Sequence, residues 1–66
     1  MLSARNQFKG KIKSVKLGNV VAEVIVSVGT LEIVSVISRT SAEHLKLKVG
    51  DDVTAVIKST EVLIDK

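Results

Sequence analysis

Apolar and polar residues alternate near the start of the chain, which is the pattern of a β-strand with one face in water. The two alternating sets are Phe8, Gly10 and Ile12 on one side and Lys9, Lys11 and Lys13 on the other. The alternation changes parity at Ser14 and Val15. A β-bulge or strong bend is therefore predicted there, and bends of that kind let a small sheet close.

Two further strands are predicted to follow as a hairpin. Gly18 and Asn19 are a short turn signal, and residues 20–28 are rich in the β-branched side chains that favour a strand. Gly29 and Thr30 fit a two-residue hairpin loop with Gly in the first central position. Residues 31–38 then predict the third strand.

The second and third strands carry apolar residues on both faces. Val21 and Ile25 lie opposite the apolar even-numbered positions of the second strand, and Val34 and Val36 do the same in the third. A chain of 66 residues has too little interior to cover both faces. An exposed apolar face forgoes about 25 cal/mol for each Å² left in water and favours aggregation. We therefore predict an obligate homo-oligomer.

The second half of the chain predicts one short helix and two more strands. Thr40 and Glu43 have the spacing of a capping box, with Ser41 as an alternative cap, so a helix is predicted over residues 41–46. Residues 48–52 indicate a turn, residues 53–58 alternate as the fourth strand, and Ser59 and Thr60 form a tight corner.

Val62 and Ile64 alternate in a predicted fifth strand. Five short strands with a small helix between the third and fourth match the order of an OB-type barrel. The predicted fold is therefore all-β, a five-stranded OB-fold-like barrel with one short helix.

Composition limits the class of protein further. Residues 1–66 are predicted to form a single domain near the lower size limit for a core that stands alone, and the chain has no cysteine and no proline. No apolar run approaches the ~20 residues of a membrane span, and no signal peptide is present in the sequence. A cytoplasmic location is therefore predicted. Met1 and the short segment after Ile64 favour a complete, free-standing protein.

The formal net charge of +3 favours an anionic partner without identifying it. Lys9, Lys11 and Lys13 could follow a nucleic-acid backbone, but lysines also protect exposed strand edges from pairing with other chains. Nucleic-acid-binding OB domains usually stack bases on aromatic side chains, and Phe8 is the only aromatic here. The nucleic-acid reading therefore stands as the alternative.

Catalytic groups are sparse in this sequence. His44 is the single histidine, there is no cysteine, and the acidic residues show no spacing that brings two carboxylates together. Asp51 and Asp52 follow a glycine, where adjacent acidic residues are typical of a turn rather than a metal site. Neither an enzyme nor a resident metal ion or cofactor is expected.

Two segments near the ends of the chain carry the most specific signal. One is Ser3-Ala4-Arg5-Asn6-Gln7, and the other is Lys58-Ser59-Thr60-Glu61-Val62. Together with Val36-Ile37-Ser38, they closely resemble the molbindins (Mop family), which are small stand-alone molybdate-binding proteins. The same domain resembles the repeats of molybdate-responsive repressors and the tail domains of molybdate transporter ATPases. The resemblance covers nearly the whole chain.

The resemblance implies a set of ligand-binding residues. They are Ser3, Ala4 through its backbone, Arg5, Ser38, Lys58 and Ser59. It further implies a hexamer, a trimer of dimers, with these sites between subunits. A second type of site on the three-fold axis is also implied, for which residues 17–20 are a weak candidate.

This residue set suits a tetrahedral oxyanion, because it supplies hydroxyl, guanidinium, ammonium and backbone N–H donors. The function implied is intracellular binding of molybdate or tungstate for storage or homeostasis. Besides the nucleic-acid alternative, an oligomeric interaction module without a ligand remains open.

Overall fold

Four antiparallel strands and one short helix make up the regular structure of the computed structural model, which describes residues 4 to 66. The elements are β1 (Asn6–Leu17), β2 (Val21–Val28), β3 (Leu31–Ser38), α1 (Arg39–His44), β4 (Asp52–Ile57) and a 3₁₀ turn (Ser59–Glu61). The sheet order is β3-β2-β1-β4. The mostly-β architecture with one helix between the third and fourth strands agrees with the prediction.

Strand β1 is the element that organises the sheet, because it pairs with both β4 and β2. Its first half lies against β4, with Asn6 opposite Ile57, and its second half lies against β2. The register with β2 shifts between Ile12 and Ser14, so the irregularity falls one residue before the predicted change of parity. At Gly10 a Cβ atom would collide with the backbone oxygen of Ser27, which is why the strands can cross so closely there.

The core consists of aliphatic side chains on one face of the sheet. Ile12, Val24 and Val26 are buried and form one cluster. Partly buried residues pack around it: Val15, Val28, Ile33, Ile37, Leu47 and Val53. Few side chains are fully buried, as expected for a domain of this size.

The sheet is not closed into a barrel, which corrects the prediction of five strands. Its edge strands β3 and β4 are separated by an open groove, with Ile33 and Ile37 on one side and Val53 and Ile57 on the other. Residues 62–66 have no regular structure, so the predicted fifth strand is not formed in the protomer. The physical reason is that the backbone N–H and C=O groups of a strand need a neighbouring strand to pair with. Residues 62–66 have no such neighbour within the described chain.

Helix α1 begins two residues earlier than predicted because Ser38, rather than Thr40, is its N-cap. The Ser38 backbone is extended, and its Oγ accepts a hydrogen bond from the backbone N–H of Ser41 at 3.0 Å. The helix is six residues long, and no helix of residues 4 to 66 has the length and apolarity needed to cross a membrane.

Helix α1 ends in a Schellman motif with an unusual residue at the turning position. The backbone N–H of Leu47 donates to the carbonyl of Ala42 and that of Lys46 donates to the carbonyl of Glu43, at 3.2 and 3.1 Å. Lys46 has a φ of 52°, in the left-handed region where glycine is normally found. The fold therefore carries local strain at this one exposed lysine.

Lys46→Gly is expected to raise the free energy of unfolding by about 0.5–1 kcal/mol, because glycine enters the left-handed region without steric cost. Urea unfolding at fixed protein concentration measures this change. Lys48→Gly is the matched control, since it removes the same charge at a position without positive φ. An equal gain in the control would show that lost charge, not relieved strain, is responsible.

The face of the sheet opposite the core also carries apolar residues, as predicted. Val21, Val34 and Val36 are each at least half exposed in the protomer, while Val24 and Val26 on the other face are buried. These exposed valines lie on neighbouring strands: in the β2–β3 ladder Val21 is opposite Ser38, Glu23 is opposite Val36 and Ile25 is opposite Val34. A single copy thus leaves an apolar surface in water.

Candidate functional site

The structure places Arg5 and Lys58 beside each other at one end of the β1–β4 ladder. Asn6 and Ile57 are the last paired residues of that ladder, so Arg5 and Lys58 are the next residues outward on adjacent strands. Both residues are exposed. The ion pairs formed among residues 4 to 66 involve neither of them. Arg5 and Lys58 are therefore adjacent cations, and within residues 4 to 66 neither forms an ion pair with a carboxylate.

The backbone before β1 is folded tightly at this point. The backbone N–H of Gln7 donates to the carbonyl of Arg5 at 3.1 Å, and the Gln7 Nε2 donates to the carbonyl of Ala4 at 2.6 Å. The carbonyl oxygens of Ala4 and Arg5 thus already accept hydrogen bonds within the chain. Ser3, the first predicted binding residue, lies outside the described residues.

Lys58 and Ser59 lie where the chain leaves β4. Lys58 has an extended backbone and precedes the 3₁₀ turn, whose Glu61 N–H donates to the Lys58 carbonyl at 2.8 Å. The Val62 N–H donates to the Ser59 carbonyl at 3.4 Å. As at Arg5, the carbonyl oxygens accept hydrogen bonds within the chain. The Lys58 ammonium and the Ser59 hydroxyl remain exposed donors.

Ser38 occupies a different part of the molecule. It pairs with Val21 at the end of the β2–β3 ladder, on the edge of the sheet opposite to β4. Within the described chain, its side-chain hydrogen bonds go to Ser41 and not to Arg5, Lys58 or Ser59. The structure therefore brings four of the predicted residues to one end of the sheet, namely Ala4, Arg5, Lys58 and Ser59, and leaves Ser38 apart from them in the protomer.

Ser41 is a polar group that the sequence reading treated only as a helix cap. Ser38 Oγ accepts from the Ser41 N–H and donates to Ser41 Oγ at 2.8 Å. The Ser41 hydroxyl, being exposed, is consequently the outer donor of a linked pair. The signal that could have revealed it is the Ser-x-x-Ser spacing directly after a strand, which is the spacing of an N-cap and its N3 residue.

Two of the four lysines of β1 form ion pairs with acidic residues. Lys11 Nζ is 2.7 Å from Asp52 Oδ1, and Lys13 forms an ion pair with Glu32. Lys16 stands directly opposite Glu23 in the ladder. A stripe compensated in this way offers little net positive charge to a phosphate backbone.

Acidic residues in the described part of the chain do not form a metal centre. Asp51 Oδ2 accepts a hydrogen bond from the backbone N–H of Lys48 at 3.1 Å, which is the turn role predicted for it. Residues 4 to 66 contain no group of three or more histidine, cysteine, aspartate or glutamate side chains that could hold a metal ion. The donor-rich surface at the strand ends is the better candidate for binding.

The fold and this pattern of exposed donors define a small mostly-β binding domain, and comparison with known proteins gives its family. Residues 2–64 match the TOBE domain, and the chain belongs to the TOBE domain family.

The chain is 52% identical over 64 residues to molybdenum-pterin-binding protein 3 of Clostridium pasteurianum, covering 96% of this chain and 94% of that protein. Its structure is similar to that of MopII from Clostridium pasteurianum in an apo form, with a TM-score of 0.94, 48% identity and complete coverage of both chains. The predicted resemblance to the molbindins is thereby confirmed.

The chain is also similar to ModG, a cytoplasmic molybdate-binding protein, in a crystal structure with molybdate bound. The TM-score is 0.84 and the identity 38%, over 89% of this chain and 43% of ModG. The likeness thus covers less than half of ModG.

Proposed function

We propose that this protein binds molybdate, or the closely similar tungstate, as the free oxyanion. The observation that carries the proposal is the pair of exposed cations, Arg5 and Lys58, held on adjacent strands without an acidic partner among the described residues. The likeness to molybdate-bound ModG supports the choice of oxyanion. Binding, storage and homeostasis in the cytoplasm, without a catalytic step, are the role we infer for this single domain.

The chemistry of the ligand explains why donors alone should surround it. Molybdate is a fully deprotonated dianion near neutral pH, so its oxygens accept hydrogen bonds and donate none. Each hydrogen bond to a charged group contributes about 1.5–3 kcal/mol, and five or six of them suffice for sub-micromolar binding after desolvation. The monohydrogen phosphate ion carries a proton that such a site leaves without an acceptor, while sulfate is excluded by its smaller size.

The six predicted residues divide the work between charge and orientation. Arg5 supplies the main charge and a planar fork of donors, and Lys58 supplies a second charge. The hydroxyls of Ser3 and Ser59 and the backbone N–H of Ala4 fix the orientation of the ion. Ser38 contributes from a neighbouring copy by orienting the Ser41 hydroxyl, which is the outer donor of the pair, since the protomer keeps both serines apart from Arg5.

The same proposal includes assembly into a homo-oligomer, the hexamer implied by the molbindin resemblance. The groove between β3 and β4 lies between the two edge strands of the sheet and is lined mainly by aliphatic side chains from them. Residues 62–66 carry Leu63 and Ile64, which are about nine-tenths exposed in the protomer. We infer that this segment of one copy fills the groove of another and completes a five-stranded barrel.

Nucleic-acid binding is the weaker candidate. Its main support was the lysine stripe of β1, and Lys11 and Lys13 are both paired with carboxylates. Phe8 is the single aromatic residue of the chain; it is paired with Ala55 in the β1–β4 ladder and is 37% exposed, so at most one aromatic surface is available. Stacking platforms of the kind that single-stranded nucleic acids need are therefore not supplied.

Arg5→Ala should weaken molybdate binding by about 100-fold or more, because it removes two charge-assisted hydrogen bonds. Isothermal titration with molybdate measures the affinity, with sulfate and phosphate as control ions and native mass recorded on each sample. The oligomer is expected to remain intact. Equal affinity for wild type and variant would disprove the assignment of Arg5 to the site.

Lys9→Gln combined with Lys11→Gln should leave molybdate affinity within about twofold of wild type, since Lys11 is neutralised by Asp52 and both lie in the β1 stripe. The titration is the same as for Arg5. A large loss of affinity would mean that the anion binds on the stripe and that the strand-end site is wrong.

Ile64→Asp should shift the native mass towards smaller species, because a carboxylate would have to enter the apolar groove of a neighbouring copy. Native mass spectrometry and sedimentation measure the distribution. Lys66→Gln changes the net charge by the same one unit in the same segment and should leave the assembly unchanged. An intact oligomer for Ile64→Asp would contradict the groove-filling role of the C-terminal segment.

A further inference from the structure

Arg39 links two segments of the chain that are far apart in sequence. Its Nη1 donates to the carbonyl of Gly18 at 3.2 Å, and its backbone N–H donates to the carbonyl of Val20 at 2.8 Å. Its Nε lies 3.6 Å from Glu43 Oε2, one helical turn along α1. The guanidinium is therefore engaged on both sides, by the β1–β2 turn and by the helix.

The residue directly before Arg39 is Ser38, which carries the hydroxyl pair with Ser41. Ser38 is the last residue of β3 and the N-cap of α1, so its backbone direction is set jointly by strand pairing with Val21 and by the start of the helix. The contacts of Arg39 with Gly18 and Val20 hold the helix start against the beginning of β2. Because Arg39 directly follows Ser38 in the chain, these contacts also fix the backbone from which the Ser38 hydroxyl extends.

We propose that Arg39 is a positioning residue for oxyanion binding, acting through the Ser38–Ser41 hydroxyl pair rather than by touching the ion. This inference rests on the proposed function. Because its guanidinium is occupied by the Gly18 carbonyl and the Glu43 carboxylate, Arg39 acts by fixing the hydroxyls and by neutralising a nearby negative charge.

The neutralising role follows from where Glu43 lies. Glu43 is on the same helix as Ser41, two residues further on, and its carboxylate is about half exposed. Without Arg39 this carboxylate would be left uncompensated on the six-residue helix that also carries Ser41, and its negative charge would lower the affinity for a dianion bound at the hydroxyl pair. A charge pair in this position removes that repulsion without adding a ligand.

Arg39→Gln should weaken molybdate binding about tenfold, the effect of losing roughly one charge-assisted interaction, with the oligomer retained. Adding Glu43→Gln to this variant should recover part of the loss, because it removes the uncompensated carboxylate. Arg39→Lys, which keeps the charge beside Glu43 and one donor for Gly18, should stay within about threefold of wild type. Isothermal titration and native mass on each variant measure these effects.

Lys13→Gln is the matched control, since it removes one positive charge and breaks the ion pair with Glu32. Its molybdate affinity should equal that of wild type. A loss equal to that of Arg39→Gln would show a general charge effect and overturn the proposal. The proposal is also overturned if Arg39→Gln binds molybdate as tightly as wild type. Dissociation of the oligomer in both Arg39→Gln and Arg39→Lys would overturn it as well.

Rescue by Glu43→Gln separates a role in ligand binding from a purely structural role, because removing the Glu43 carboxylate would not repair an unfolding defect. The absence of any rescue would limit Arg39 to fold stability and overturn its role in binding. A wild-type protein that binds no molybdate would instead overturn the proposed function itself, and this role of Arg39 with it.

Discussion

The structure depends on one constraint, which is that a sheet of four short strands cannot enclose its own apolar side chains. Ile12, Ala22, Val24, Val26 and Ala42 are the hydrophobic residues that the described chain buries, and the groove between β3 and β4 leaves part of the core face open. A domain this small has little stability to spare. Its folding is therefore expected to be coupled to association with further copies, so that stability depends on protein concentration.

The same constraint explains why the candidate site is divided. Arg5, Lys58 and Ser59 lie at the outer end of one ladder, whereas Ser38 lies at the end of the ladder on the opposite edge. Strand ends are where backbone pairing stops and side-chain donors become free for other partners. The proposed association of copies would close the core and would also assemble a ligand site from two such ends at little further cost in stability.

Local patterns predicted most of the strands and the hairpin correctly, because alternation and Gly29 with φ of 59° are properties of a few neighbouring residues. The pairing of Arg5 with Lys58 came from a family resemblance and not from the pattern. Capping was misread, since both Ser38 and Thr40 satisfy the local rule and only the end of β3 decides between them. The contact of Arg39 with Gly18 joins residues 21 positions apart, and no local pattern reports it.

Selectivity for an anion depends on where charges are paired as much as on how many there are. The net charge of +3 suggested a generally basic surface, yet Lys11, Lys13 and Arg39 are each held by a carboxylate. Paired charges contribute little to the field a few ångströms away, because the two signs cancel and salt screens the remainder. Among the cations without an ion pair in residues 4 to 66, Arg5 and Lys58 are two that the β1–β4 ladder places on adjacent strand ends. A small dianion that can be surrounded by donors is favoured there over a long polyanion, which would need a continuous positive track.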